Sequence, residues 1–552
     1  MLGTVEGTDF RRRVCIILDE AGRRRVFHMP RTHETRDRPP KPGSIVTFEP
    51  IDRGAFLEAR AVRIVPYPFG PGHEIDLHQF LEEVANWSSD SRSEDTPRYF
   101  YRTDAMRHIE SGRKPIVTGR KGTGKTAISE FLTTRMDPRL LARLLSFKNF
   151  PFNELYALGD AAYPPPNQFI TLWKLIIYSE LAQLLRDNQS IDPLVREELE
   201  RVYPQDLRGS LGIKVARWTS GEFKLDLLGK GIGISGTKTI DETPRSWIQR
   251  VDALERFLLA NMDDATYLLS FDSLDEDYHH ILESPDARQY TDLLTGLIKA
   301  VLDVRSVFRR PRFAVLPIVF LRDDIFRQLH DPDRGKWLDH VLKIEWTSAQ
   351  LQALIAHRLI RSQNPEAGDA PVDECWALLF TPDAVRDPYY GTPCSIFEFI
   401  ASRTLLRPRD FVIFLRQCAQ YLIESRRARA SPEVISAVEE DCSSVFRTFL
   451  EDELETAVPN IRQIFDVLSF IGSRRFSFNK LCDQYNRHLG STGEDEHHLR
   501  KTLEILFDFG ILGLAPANRR PVFKYLDADA AFDFTATLVI HPGLAASLRL
   551  TA

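Results

Sequence analysis

The residues Gly119-Arg120-Lys121-Gly122-Thr123-Gly124-Lys125-Thr126 have the spacing G-x-x-x-x-G-K-[ST] of a phosphate-binding P-loop. Three glycines let the backbone curl so that several N–H groups point inward. A helix starting where the loop ends adds the positive end of its dipole. In such a loop Lys125 would reach the β- and γ-phosphates, the Thr126 hydroxyl would ligate Mg2+, and Ala127 would follow in the first helical turn. The alternative is a glycine turn that holds nothing. Flanking residues favour the nucleotide. Ile116 and Val117 read as the end of a buried strand, and Ala127, Ile128, Phe131 and Leu132 fall at helical spacing. No guanine-specifying N-K-x-D follows, so ATP is expected.

A second acidic motif belongs with the first. Tyr267-Leu268-Leu269-Ser270-Phe271-Asp272 is a short apolar strand ending in a carboxylate, the Walker B pattern. A parallel sheet would set Asp272 beside Thr126, holding Mg2+ through water. Asp275 would orient the attacking water, with Glu276 as the second choice; the alternative for these acids is a solvated helix start. A third strand, Phe313–Leu321, ends in Arg322-Asp323-Asp324. Arg322 would stand at the strand's C-terminal end, where open α/β sheets bind ligands, and sense the γ-phosphate. Its alternative is an ion pair with Asp323 or Asp324.

The elements before the loop are of another kind. Residues 1–66 read as five short strands at a spacing that fits a small OB-like barrel. The order G-T-V, a turn before V-F-H, and P-G-x-x-V-x-F-E resembles the cold-shock domain. That resemblance implies single-stranded RNA or DNA as a partner. The segment lacks most of the aromatics on which such domains stack bases, keeping Phe27 and His28. Charge remains: Arg11, Arg12, Arg13 and Arg23, Arg24, Arg25 flank consecutive strands and would form one basic face. Over residues 1–65 there are 13 Lys/Arg against 9 Asp/Glu. A docking barrel for protein is the alternative.

Residues 67–94 form a Pro/Gly linker and an entry helix, 95–365 the nucleotide-binding core, 366–455 a helical lid and 456–552 a winged-helix-like domain. Within the core, 205–240 reads as a hairpin insertion. The order G-R-K-G-T-G-K-T, F-D-S-L-D, F-L-R-D-D, I-E-W-T and R-P-R-D-F, over roughly residues 95–455, resembles bacterial STAND- and KAP-like P-loop ATPases, relatives of the AAA+ class. The resemblance implies a regulated ATPase whose lid brings Arg407 or Arg409 toward the phosphates. One departure is that Asp272 is followed by Ser273, not Glu, which leaves the catalytic base unassigned by motif. Arg309, Arg310, Arg312 and Arg334 are candidates for an arginine finger, with plain surface charge as their alternative. In the last segment, Arg500, Lys501, Arg519 and Arg520 could meet DNA, but the acidic start Glu494-Asp495-Glu496 favours a protein contact or an autoinhibitory role.

The totals bound these readings. With 552 residues, 43% hydrophobic and 27% charged, the chain is a multidomain α/β protein with room for a large core. A net charge of −6 excludes a globally basic nucleic-acid binder. Six scattered cysteines suit a reducing cytoplasm, and no apolar run is long enough to span a membrane. The motifs lead to the expectation of ATP binding, and the resemblance to STAND- and KAP-like ATPases implies a regulatory switch in bacterial stress response or antiviral defence. It would act with a separate effector or partner protein, or as a homo-oligomer. The rival is a nucleic-acid-binding protein or scaffold that keeps ATP as a structural ligand.

Overall fold

The computed structural model describes the chain except residues 1, 10–13, 20–23, 29–44, 54–55, 65–75, 136, 159–165, 205–209, 221–222, 224–245, 276–285, 309–312, 369, 390, 490–492, 517–519 and 552. The chain forms two compact units. Arg102–Glu345 is one, and Met1–Tyr101 with Trp346–Ala552 is the other.

Five strands at the start, β1 (Leu2–Asp9), β2 (Val14–Asp19), β3 (Arg24–His28), β4 (Ile45–Arg53) and β5 (Phe56–Ile64), close into a barrel in the order β1-β2-β3-β5-β4. All pairs are antiparallel except β3 with β5. Its described core is Cys15, Ile17, Phe48 and Ala59, with Phe27 packed against it.

The unit Arg102–Glu345 is built on an all-parallel sheet of β6 (Ile116–Gly119), β7 (Leu140–Ser146), β8 (Thr266–Asp272), β9 (Ala314–Arg322) and β10 (Val341–Ile344), ordered β10-β6-β9-β8-β7. β8 and β9 are apolar along nearly their whole length, as strands covered on both faces must be. The helix Ile170–Asp187 is buried on almost every side, and its Leu172, Ile176, Leu181 and Leu185 are wholly enclosed. Each such side chain contributes about 1.5–3 kcal/mol. Helix Trp247–Asn261 starts at a capping box in which Ser246 and Gln249 exchange hydrogen bonds. The hairpin expected over 205–240 is not what its first part forms: Leu211–Thr219 is a helix, whose Val215 and Trp218 face the core. The glycines that follow in sequence mask the 3.6-residue spacing of this first part. Most of the remaining segment lies outside the described residues.

In the other unit, helix Leu77–Ala85 and the turn through Tyr99 share one core with Leu351, Ile355, Leu359 and the helices up to Cys442. The compact unit Arg102–Glu345 lies within the 95–365 expected for the nucleotide-binding core. Buried polar contacts fix the arrangement. Arg358 lies over the rings of Trp87 and Tyr99 at 4.5 and 4.8 Å and pairs with Glu94, while Arg98 donates to the carbonyls of Arg361 and Ser362. Helix Pro432–Leu454 belongs to two cores. Val434, Ile435 and Val438 serve the first, and Phe446, Leu450 and Leu454 the second. The second core holds helices Ile461–Phe470, Phe478–Leu489 and Gly493–Asp508, with a three-stranded antiparallel sheet of Arg475–Phe476, Leu538–Ile540 and Leu512–Leu514. Among the described residues, no helix is long and apolar enough to cross a membrane.

Candidate functional site

The loop Gly119–Thr126 joins β6 to the helix Lys125–Thr134. Gly122 and Gly124 have φ of 83° and 94°, and Gly124 is the helix N-cap, a conformation that side-chain-bearing residues rarely adopt. Thr123 is buried, and its hydroxyl donates to the Arg120 carbonyl at 2.9 Å, closing the turn. Arg120, Lys121, Thr126 and Ala127 are half-buried around it. The Lys125 ammonium donates to the carbonyls of Gly119 and Arg120, both at 2.9 Å. Burial holds its pKa below the ordinary lysine range, and Asp275 gives the largest opposing attraction, with Arg322, Asp272 and Asp324 also acting on it. Three of the expected site groups, Asp275, Arg322 and Asp272, are thus electrostatic neighbours of one lysine.

The sheet explains this gathering. β9 lies between β6 and β8, and Gly119 pairs with Arg322, so Arg322 stands level with the start of the loop. Asp272 ends β8, is 3% exposed, and pairs with Ser146. A hydrogen bond of 2.5 Å between the Ser129 and Ser270 hydroxyls ties the loop's helix to β8. Thr126 lies one turn before Ser129 and Asp272 two residues beyond Ser270, so both are at the strands' carboxyl ends. Sequence spacing carried no signal of that serine tie.

Beyond Asp272 the chain turns sharply. Ser273 takes φ 59°, the left-handed region uncommon for a non-glycine residue and often seen at functional turns. Leu274 is buried, and its carbonyl accepts a 2.8 Å hydrogen bond from Tyr290, itself wholly buried on helix Asp286–Val307. Tyr290 was missed by motif reading because nothing in its spacing from Asp272 marks it. Asp275 comes within 3.8 Å of Arg322 Nη1. Glu276 lies outside the described residues. Arg322, 7% exposed, donates Nε and Nη2 to the two carboxylate oxygens of Asp324 at 3.1 and 2.6 Å. The ion pair foreseen as its alternative is present, and Asp324 forms it; Asp323 pairs with Arg327 instead.

The other expected site residues fall elsewhere. Arg407 is the N-cap of helix Pro408–Ser425, with Pro408 at the first helical position. It is 2% exposed and bonded to Asp410 at 3.0 Å and Glu453 at 2.7 Å. Arg409 is half-buried over the Phe449 ring at 5.5 Å. Of the finger candidates, Arg334 lies over the Phe326 ring at 5.8 Å, and Arg309, Arg310 and Arg312 are outside the described residues. In the barrel, Arg11, Arg12, Arg13 and Arg23 are outside the described residues, while Arg24 and His28 are exposed. Arg25 does not join a basic face. It pairs across strands with buried Ile17, so both point inward, and its guanidinium lies 5.9 Å from the Phe48 ring. Phe27 lies on that same inner face, opposite Cys15. At the C-terminus Arg500 pairs with Glu496 and lies over the rings of Phe478 and Phe534 at 4.4 and 4.8 Å, Lys501 and Arg520 are exposed, and Arg519 is outside the described residues.

Two comparisons bear on the chain. Residues 349–450 match the model of the FunZ-associated C-terminal helical domain, which spans the helices around the Arg407 cluster. The chain is also similar to the "Putative transposon gamma-delta 80.3 kDa protein" of Escherichia coli (strain K12), with 23% identity over 480 residues. That alignment covers 79% of this chain and 62% of the relative, so the chain spans under two thirds of that protein's length.

Proposed function

We propose that this chain is an ATP-binding and ATP-hydrolysing regulatory switch of the STAND/KAP-like, AAA+-related kind. One observation carries the reading: Lys125, Asp272, Asp275 and Arg322 gather at the carboxyl ends of adjacent parallel strands, beside a left-handed glycine turn that opens a helix. The residues fit Mg2+-ATP. The helix N-terminus and Lys125 suit phosphate, and the Thr126 hydroxyl with the buried Asp272 carboxylate suits a hard divalent cation that keeps waters. Mg2+ when bound would neutralise charge on the phosphates. Asp275 would orient the attacking water and Arg322 would sense the terminal phosphate. Arg407 is committed to Asp410 and Glu453, which leaves Arg409 as the lid's better candidate for phosphate contact.

The strand order of the barrel, with its single parallel β3·β5 pair, supports an OB-like module. The three helices and small sheet of residues 461–540 support a winged helix. Similarity to a transposon protein suits a role in mobile DNA or in defence against it, with single-stranded nucleic acid or a separate effector protein as partner. Six free cysteines suit the cytoplasm.

A second reading, ATP as a structural ligand with negligible turnover, is favoured by Ser273 standing where an acid would activate water. Equilibrium binding of ATP and phosphate release by the full chain, with and without single-stranded RNA or DNA, test both. ATP binding lost in Lys125→Ala together with release above that control supports the switch. Binding without release supports the second reading, and no binding overturns both.

A further inference from the structure

Ser270 interrupts the apolar run Leu268–Phe271 of β8, and its hydroxyl meets that of Ser129 on the helix Lys125–Thr134 at 2.5 Å. Both residues are wholly buried. A buried hydroxyl is costly without a partner, and here each serine satisfies the other. Two methyl groups would fill the same seam with no preferred direction, whereas a hydroxyl pair fixes one position of the helix along the strand. Ser270 is held in register on both sides, opposite Leu144 of β7 and Ile318 of β9. Side chains two apart on a strand share a face, as do those three apart on a helix. The helix starts at the carboxyl end of β6, so a step toward its start is a step toward the carboxyl ends of the parallel strands. The next residues on the two faces in that direction are Thr126, three before Ser129, and Asp272, two beyond Ser270. Rises of about 1.5 Å per helical residue and about 3.3 Å per strand residue put them about 4.5 and about 6.6 Å further on. The serine pair is thus the rung directly behind the one that Thr126 and Asp272 occupy.

Resting on the ATP reading above, we propose that Ser129 and Ser270 are positioning residues for the Mg2+ site, whose hydroxyl pair sets the placement of Thr126 against Asp272. The phosphate contacts of that reading come from one segment, Gly119–Thr126, shaped by its glycines and by the Thr123–Arg120 hydrogen bond. The metal contacts come from two elements, the helix and β8. A group held by one segment is indifferent to how that segment sits on its neighbour, and a group held by two is not. Mg2+ is the more exacting because it demands near-ideal octahedral geometry at about 2.0–2.1 Å. Both serines are enclosed in the core and act through the backbone that carries Thr126 and Asp272. The consequence is a division of labour along one helix. Its first turn binds, and its second turn sets where the metal ligands stand.

The test is calorimetric titration of the full-length protein with ATP, at a series of Mg2+ concentrations and in EDTA, with an unfolding curve for every variant. Combining Ser129→Ala with Ser270→Ala removes both hydroxyls and leaves neither buried alone, so the unfolding midpoint should stay near that of the wild type. The Mg2+ concentration that half-saturates its ATP binding should rise about tenfold, while ATP affinity in EDTA stays within about twofold. Ser270→Thr keeps a hydroxyl at the strand position and should restore most of the Mg2+ response. Equal weakening with and without Mg2+ would mark the pair as merely structural and overturns the proposal. If the double variant does not fold, Ser129→Ala alone is read in the same way; loss of folding in both overturns the proposal, because the pair then holds the core. Wild-type protein that binds ATP in neither condition overturns the ATP reading and this proposal together. Wild-type binding with an unchanged Mg2+ response in the variants removes this proposal alone.

Discussion

Two arginine–carboxylate clusters in this molecule look alike in sequence and behave differently in structure. Arg322-Asp323-Asp324 ends a core strand, and Arg407-Pro408-Arg409-Asp410 begins a helix. Arg407 is enclosed, with Asp410 at 3.0 Å on Nε and Glu453 at 2.7 Å on Nη1. Asp410 also accepts from the backbone N–H of Leu405, next to Leu406, a non-glycine residue at φ 53°. That cluster fixes a strained turn between helices, and its charges are committed to one another. Around Arg322, Asp324 lies at 2.6 Å and Asp275 at 3.8 Å. The Arg407 pairs join two helices of one core, whereas the Arg322 pairs lie at the carboxyl end of the parallel sheet, beside the glycine loop.

Single substitutions test this contrast. Arg407→Ala leaves Asp410 and Glu453 buried without their cation and should cost about 3–5 kcal/mol, read as a lowered denaturant midpoint for the helical unit. If instead its main effect is on nucleotide affinity with stability intact, the division between the clusters fails. Lys125→Ala should weaken ATP binding roughly a hundredfold with little change in melting temperature, measured by calorimetric titration and thermal scans. Gly543→Ala probes the same helical cluster from the C-terminal side. A Cβ there would stand 2.2 Å from the Arg403 carbonyl oxygen, so a loss of about 1–3 kcal/mol is expected from unfolding curves. A neutral result would mean that this seam is soft. Tyr290→Phe removes one buried hydrogen bond and should cost about 1 kcal/mol. It should slow phosphate release more than it weakens ATP binding, because it frees the Asp275 turn and not the glycine loop. The smallest effect is on thiol labelling. Burial pushes Cys375 up to about 11 and Cys418 far above the ordinary thiol range, which lowers their thiolate fraction at any working pH. Half-buried Cys394 and Cys482 should therefore react first with a maleimide, as peptide mapping would read. Early labelling of Cys418 would show that the helical core opens.

Much of this was readable before the fold was known, and the parts that were not share a cause. The strand–loop–helix at Gly119–Thr126, the strands ending in Asp272 and Arg322, and the five strands of the barrel all have local signatures: period-two apolarity, glycine spacing, a terminal charge. The inward face of Arg25 is not legible in sequence, because one residue of register decides whether a strand's side chain faces water or core, and composition does not reveal register. The contacts of Arg358 with Trp87 and Tyr99 join segments more than 250 residues apart in sequence, and no local pattern marks them. The Tyr290–Leu274 bond and the Ser129–Ser270 tie are likewise contacts between distant segments with no sequence signature of their own. What local pattern determines was legible. What tertiary pairing determines was not.

Because one unit interrupts the other in sequence, the order of synthesis also sets an order of events at the ribosome. Leu77, Phe80, Leu81, Val84 and Trp87 emerge early, yet the residues they pack against, Leu351 onward, follow only after all of Arg102–Glu345 has been made. At roughly 5–20 residues per second the apolar stripe waits uncovered for on the order of ten seconds or more. During that interval the inserted unit can complete its own sheet, since every strand of it is already in hand. The segment Arg102–Glu345 can therefore close its core before the unit that brackets it in sequence closes its own.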